Sequence, residues 1–400
     1  LIPVGQIEYI EIIPAPLNDE GAASARKTLS LVLILKNEAD TILDVIGGVA
    51  PLYDQLVVGI DRASSDATRA LVEPLVRPLA DVLYEFDFQD DFAARRNEAL
   101  RLCWGDFILF PDGHEIIQAA SRPYLERVLE DGPSVIPYDV FMAIIRMAQP
   151  GSGIVQTQSP RAMLFRNHKN LYFEGKAHNY LWGHDEVRVT LAPQLVFDHC
   201  ASYYHLADRD EQRVEMNLRI FSQAVRDDPS DVRSWFYLAN TYSSIDTDKA
   251  IELYQVYLLK ARQYGDSPEQ VGQGLIYLGH LYLFGKEDYM QAYIAFHHAS
   301  LITPRAEPFF YMAWIRFKQS DCAIASDLLR HIDLERPPSP FFLEEMVYNG
   351  VAVWELWGLC HNALGEYKDA MRCFERVAEL QPSREGVKEN LEKLRAVCGV

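Results

Sequence analysis

The sequence predicts an α/β domain built on a mostly parallel sheet, followed by an all-α domain of helical repeats. Two observations carry this. Over residues 29–205, apolar runs of strand length alternate with amphipathic segments of helical period, the pattern of a parallel sheet with helices on its faces. From about residue 208 the strand pattern stops and paired helical segments recur, as in repeat architectures. The expected boundaries are an N-terminal extension at 1–28, the α/β domain at 29–207, and a helical linker with repeats at 208–400.

Within the first domain LSLVLIL (29–35) is a continuous buried strand, and ADTILDVIGGV reads as a helix. DQLVVGID (54–61) is the second strand, with SSDATRALVEPLV as its helix. VLYEFDF (82–88) is the third, followed by a helix at NEALRLC, and FILF is the fourth. Over 134–200 the runs SVIPYDVFMAII, AMLFR, LYFEG and VRVTLAPQLVF extend the sheet in mixed fashion, with a PGSG turn at 150–153.

In the second domain WFYLANTY (235–242) pairs with AIELYQVYL (250–258), and IYLGHLYLFG (276–285) with AYIAFHHASLITP (292–304). FFYMAWIRF pairs with AIASDLL, and LWGLCHNALGEY (356–367) with AMRCFERVAELQP (370–382). This resembles the tetratricopeptide repeat. A small residue recurs in each first helix, at Ala239, Gly279, Ala313 and Gly358. Twelve residues separate Gly358 from Ala370 and Ala313 from Ala325, and Pro382 ends the last pair. Small residues let paired helices approach closely, and proline stops a helix. Trp235, Trp354 and Trp357 fit repeat packing, and His297 and His298 a structural role.

A hydrophobic fraction of 49% with 12% aromatics excludes global disorder. The net charge of −19 disfavours nucleic acid as a partner. Six cysteines contain no CxxC pair and no disulfide-type spacing, so a reduced, cytoplasmic setting is expected. No apolar run approaches the roughly 18 residues of a membrane span. LIPVGQIEYIEIIP lacks the basic start of a signal peptide, and a first residue Leu1 fits a processed or trimmed chain.

Polar groups follow the apolar strands at four successive ends. Lys36, Asn37 and Glu38 follow the first, and Asp61 ends the second, with Asp66 and Thr68 at the next helix start. Asp91, Arg96 and Asn97 come after the third, and Asp112, Gly113, His114 and Glu115 close the fourth. Open α/β sheets bind ligands at the carboxyl ends of their strands, so convergence there marks a site. Asp66 is most simply a helix cap.

LSLVLILKNE, GIDRASSDAT, DDFAARRN and FILFPDGHE resemble, in order and spacing, four motifs of the family 2 glycosyltransferases of GT-A fold. That resemblance covers about residues 29–205 and implies a Rossmann-like mixed sheet that binds a UDP- or GDP-sugar. It implies donor contacts from Lys36, Asn37, Glu38, Asp61, Arg96 and Asn97, with Asp91 orienting the last two. The family's Asp-x-Asp is here Asp112-Gly113-His114. The polypeptide N-acetylgalactosaminyltransferases are similar in using Asp-x-His. Oxygen and nitrogen two residues apart can face one divalent ion, with Mn2+ favoured over Mg2+. Such an ion would act as a Lewis acid on the donor's diphosphate. SPRAMLFRNHKNLYFEGKAHNYL (159–181) and LVFDHCASYY (195–204) resemble later family elements. They make Arg161 and Arg166 candidate diphosphate contacts, and His199 or His178 the candidate third metal ligand.

The family's glutamate after the histidine is Asn179 here. An inverting transferase needs a base within reach of its acceptor; Asp185, Glu186 and His178 are the candidates, and a thiol acceptor would need less help. Glu115 is a catalytic neighbour that would orient the site or touch the acceptor. Concave repeats bind extended partners, and the bacteriocin-peptide S-glycosyltransferases are similar in joining such helices to a family 2 domain. A peptide or protein acceptor is therefore expected, and self-association through the repeats is a further use of that surface. The competing reading is a non-catalytic scaffold, suggested by Pro111, Gly113, His114 and Asn179. A nucleotidyltransferase would want a glycine- and lysine-rich loop after the first strand, and LILKNEAD offers none.

Overall fold

A computed structural model describes residues 26–135, 137–148, 155–183, 186–200, 207–335, 344–345 and 350–399. Two compact units divide within one helix, the first running to Met216 and the second starting at Asn217.

The first unit begins with β1 (Leu29–Leu35), α1 (Ile42–Val49), β2 (Gln55–Asp61), α2 (Thr68–Val72), β3 (Val82–Phe86) and α3 (Phe92–Leu100). It continues through β4 (Phe107–Leu109), β5 (Glu115–Ile117), α4 (Arg122–Val135), β6 (Val140–Ala148) and β7 (Val155–Arg166). It closes with β8 (Leu171–Glu174), β9 (Tyr180–Gly183) and β10 (Val189–His199). The main sheet runs β3-β2-β1-β4-β7-β6-β10-β5. Strands β1 to β4 are parallel to one another, whereas β7 is antiparallel to both β4 and β6. Strand order reverses beside β1, with β2 on one flank and β4 on the other. A crevice opens at such a switch point, outside the carboxyl ends of the strands.

Apolar strands explain this architecture. Leu29, Leu31, Leu33 and Leu35 enter one core with Ile42, Val45 and Val49 of α1, while Val32 and Val57 enter a second core on the other face. Both faces of a parallel strand are covered, so it reads as an unbroken apolar run.

Several details differ from the sequence expectation. Residues 134–135 belong to α4, so the strand expected from Ser134 starts at Val140. α3 starts at Phe92, ahead of the expected NEALRLC segment, because the Asp91 carboxylate accepts from Ala94 N at 2.8 Å and caps it. The three-residue β5 and β9 add to the expected strands, and the expected LYFEG strand (β8) pairs with β9 in a separate two-stranded sheet instead of extending the main one. The PGSG turn lies outside the described residues.

The second unit contains the remainder of α5 (Ala207–Asp227), then α6 (Val232–Tyr242), α7 (Thr247–Tyr264), α8 (Pro268–His280), α9 (Tyr289–Ser300), α10 (Ala306–Lys318), α11 (Cys322–Leu329), α12 (Val351–Ala363), α13 (Tyr367–Leu380) and α14 (Val387–Cys398). The pairs α6–α7, α8–α9, α10–α11 and α12–α13 are the expected repeats. Both glycines of the first helices meet a partner, a Cβ on Gly279 lying 2.7 Å from Phe296 and one on Gly358 3.0 Å from Phe374, and Ala239 and Ala313 are fully buried. Ala250, Ala292, Ala325 and Ala370 of the second helices are fully buried. Asp231, Asp246, Ser267, Asp288 and Asp321 cap five of these helices through their side chains. Among the described residues no helix is long and apolar enough to cross a membrane.

Candidate functional site

The loops after β1 and β2 are tied into one surface. Asn37 adopts a left-handed backbone (φ 56°), uncommon outside glycine but tolerated by asparagine. Its carboxamide oxygen accepts from Ser65 N at 2.7 Å, and its own N–H donates to Ser64 Oγ at 3.0 Å. Glu38 N donates to Thr68 Oγ1 at 2.7 Å, and Ala39 N to Asp66 at 2.9 Å. Asp66 also accepts from Thr68 N at 3.0 Å at the start of α2, whose N-cap residue is Ala67. Burial works to raise the Asp66 pKa, but the hydrogen bonds from Thr68, Ala39 and Ser64 prevail and lower it. Lys36 reaches across to the buried Asp61 with Nζ–Oδ2 at 3.3 Å.

At the end of β4 the chain turns through Pro111-Asp112-Gly113-His114 into β5. Arg96 of α3 donates to Asp112 Oδ1 at 2.6 Å, and Arg161 of β7 to Oδ2 at 2.7 Å. The second Nη of Arg161 pairs with Glu115, whose carboxylate also accepts from Asp112 N at 2.8 Å. The Arg96 guanidinium lies over the rings of Phe110 and Phe173, 4.8 and 5.1 Å from their centroids, a placement that steadies its orientation. His114 Nδ1 faces Glu38 Oε1 at 3.3 Å, and the His114 and His199 rings lie 4.4 Å apart. Thr41 Oγ1 donates to Gly113 O at 2.7 Å, fixing the turn to the start of α1.

Electrostatics separates the two carboxylates. Burial works to raise the Asp112 pKa, but the Arg161 and Arg96 guanidiniums, with help from His114, hold it far below the usual range. Glu115 is only 2% exposed, and burial pushes its pKa up despite Arg161. His199 falls to about 4, chiefly through burial and then through His114. Asp112 is thus an anion, and His199 a neutral imidazole at pH 7.

Asp112, His114, His199, Glu115, Glu38, Arg96 and Arg161 are brought together, with Lys36, Asn37 and Asp61 along the same strand-end edge. Other candidates are not. Both amide groups of Asn97 bond the Phe173 backbone, at 2.8 and 2.7 Å, and hold β8 against α3. Asp91 caps α3. Arg166 is opposite Phe107 in the β4–β7 register, at the amino end of β4, and so on the far edge of the sheet from Asp112. His178 is exposed in the turn joining β8 and β9, with φ 47°. Glu186 is exposed, and Asp185 lies outside the described residues. Sequence reasoning passed over Thr41, Phe110 and Phe173, which position the turn and Arg96; their only signal was proximity to the motifs.

The donor set in this arrangement does not fit a divalent ion. Both Asp112 oxygens already face guanidiniums, and a cation beside two fixed positive charges is repelled. Among the described residues no group of three His, Cys, Asp or Glu side chains is disposed to hold a metal.

Comparison with known proteins finds similarity in the helical half. No family model matches the chain. A TPR repeat-containing protein of Synechococcus elongatus is 29% identical over 158 residues, 40% of this chain. The chain spans only 36% of that curated relative's length. Among solved structures, YrrB, described as a TPR protein with an unusual peptide-binding site, is 19% identical with a TM-score of 0.37, over 45% of this chain and 84% of its own. MamA is 17% identical with a TM-score of 0.33, over 43% and 85%. The helical half is an array of paired helices similar to the repeats of the curated relative, and the chain's first unit holds a mixed sheet.

Proposed function

We propose that the chain is a family 2-like, GT-A-type glycosyltransferase, moving a sugar with inversion from a UDP- or GDP-sugar to a peptide or protein held by its repeats. The observation that carries this is the convergence at the sheet's switch point. Lys36–Asp61, Glu38–His114 and the Asp112–Arg96–Arg161–Glu115 network all follow carboxyl ends of strands or lean onto them. In this reading Asp61 and Lys36 receive the nucleoside. Arg96 and Arg161 meet the negative charge that builds on the diphosphate as the acceptor attacks the anomeric carbon and the sugar–phosphate bond breaks. Guanidinium forks suit phosphate oxygens. The acceptor's proton passes to a base that this arrangement leaves unassigned: Glu115 is buried and ion-paired, and nothing among the described residues ties the exposed His178 and Glu186 to the converged cluster. A Mn2+ ion, ahead of Mg2+, enters the proposal only if donor binding draws Arg96 and Arg161 off Asp112, since in the arrangement described the Asp112-Gly113-His114 motif does not receive one. A cytoplasmic location belongs to it through the cysteines, all of them free.

Calorimetric titration with UDP- and GDP-sugars, with and without Mn2+, tests this. Wild type should bind at least one donor, and Arg96→Met should weaken it about tenfold or more, or roughly 1.4 kcal/mol. Failure of every nucleotide to bind under both conditions leaves the second reading, a partner-binding repeat scaffold with an inactive first unit. That reading draws support from the guanidiniums already seated on Asp112 and from the repeat character of the curated relative.

A further inference from the structure

We infer that the first unit carries a second binding site, for a small organic phosphate, on the edge of the sheet opposite Asp112. This inference does not rest on the glycosyltransferase reading. It begins with Asp139, which precedes β6 and is 1% exposed. Three cations converge on its carboxylate: Arg166 at 3.5 Å, Lys169 at 3.4 Å and Arg188 at 3.7 Å. Asp139 Oδ2 also accepts from Arg188 N at 3.1 Å, whereas the buried Oδ1 has no hydrogen-bond partner beyond those ion pairs. One carboxylate therefore organises three positive charges without neutralising them.

These groups line a cavity of about 250 Å³, with Lys27 and Asp106 on its wall. Asp106 is already engaged, since Thr28 N and Oγ1 both donate to it at 2.9 Å. Four cations against two carboxylates leave this wall with a surplus of +2 (4 − 2), in a chain of net charge −19. Lys169 and Arg188 are 41% and 56% exposed at the side chain, so they can turn toward a ligand without unfolding a core. A concentrated, partly desolvated cluster of Arg and Lys selects phosphate or a comparable oxyanion.

A second cavity of about 400 Å³ adjoins the first and shares Arg166, Asn167 and His168 with it. Its lining includes Leu100, Ile108, Leu171 and Tyr172, which offers an apolar and aromatic wall to a ligand's body. The segment between the cavities is held in place. Asn167 Nδ2 donates to Cys103 O at 3.1 Å and Gly105 O at 2.9 Å, and His168 and Asn170 both take positive φ, 63° and 50°. Backbone held in the left-handed region by its surroundings recurs at ligand sites. The phosphate goes to the cationic cavity and the organic body to the adjoining one.

Calorimetry on the full chain with inorganic phosphate and with phenyl phosphate, in chloride buffer at pH 7, provides the test. Both should bind, phenyl phosphate more tightly. The double variant Lys169→Ala/Arg188→Ala should weaken both about tenfold or more, while Tyr172→Ala should weaken phenyl phosphate alone. Unchanged melting of the variants separates lost binding from lost fold, and Arg96→Met reports on the Asp112 site. The inference is overturned if neither anion binds wild type, if the double variant binds as wild type does, or if Arg96→Met abolishes binding instead.

Discussion

Gly113 shows how narrowly the candidate site is constrained. A Cβ placed there would lie 2.7 Å from Leu35 Cδ2 and 2.8 Å from Glu38 Cγ. The intervening position of Asp112-Gly113-His114 is thus small because the β1 loop passes against it. Gly113→Ala should displace Glu38 from His114 and lower unfolding stability by about 1–3 kcal/mol, the usual penalty of overpacking. Denaturant unfolding measures this, and a variant as stable as wild type would refute the packing argument. The sequence points to Arg161 but not to its bond with Glu115, since that depends on which end of β7 reaches the β4 turn. Arg161 and Arg166, five residues apart on one strand, are separated by about 16 Å and fall at opposite edges. Sequence spacing alone does not reveal strand direction, and so both were expected at the donor.

At the scale of elements, the helical pairs and the first four strands were readable because their apolar periods are long and regular. The strands β5 and β9 are three and four residues long, too short to show a period. Glycine meaning also depends on the element around it. Gly47 on α1 has open space where a Cβ would go, so Gly47→Ala should stabilise the first unit by about 0.5–1 kcal/mol through helix propensity. Gly279→Ala on α8, with Phe296 at 2.7 Å, should destabilise the second by about 1–3 kcal/mol. Thermal melts of the two variants should move in opposite directions, and a shared direction would mean packing does not decide. His280, the last residue of α8, supplies a pH dependence. Its ring packs against Tyr311 at 4.6 Å and Phe296 at 5.5 Å, its Nε2 is buried without a partner, and burial lowers its pKa to about 4. The unfolded chain protonates this imidazole near 6.5 while the folded one resists, so the fold binds fewer protons between those values. Stability is unaffected above the unfolded value and falls as pH drops toward 4, by on the order of 3 kcal/mol. His280→Phe should flatten that acid limb, and an unchanged slope from pH 7 to 4 would sink the assignment.

At the scale of the molecule, four hydrophobic clusters among the described residues each lie within one unit. Two lie about the sheet, with Leu33 and Phe197 in one and Ile108 and Phe173 in the other; two lie in the repeats, around Phe296 and around Phe374. A unit with a core of its own can melt on its own. Scanning calorimetry should therefore resolve two transitions, assigned by the glycine variants: Gly47→Ala raises one midpoint and Gly279→Ala lowers the other. A ligand that binds only the folded state stabilises by about 2.7 kcal/mol at one hundred times its Kd. A nucleotide-sugar donor should accordingly shift the Gly47-sensitive transition, and a peptide acceptor the Gly279-sensitive one. If the donor moves neither while a peptide moves the second, the transferase reading fails and the scaffold reading stands. If the donor moves the repeat transition instead, the strand-end site is not where it binds.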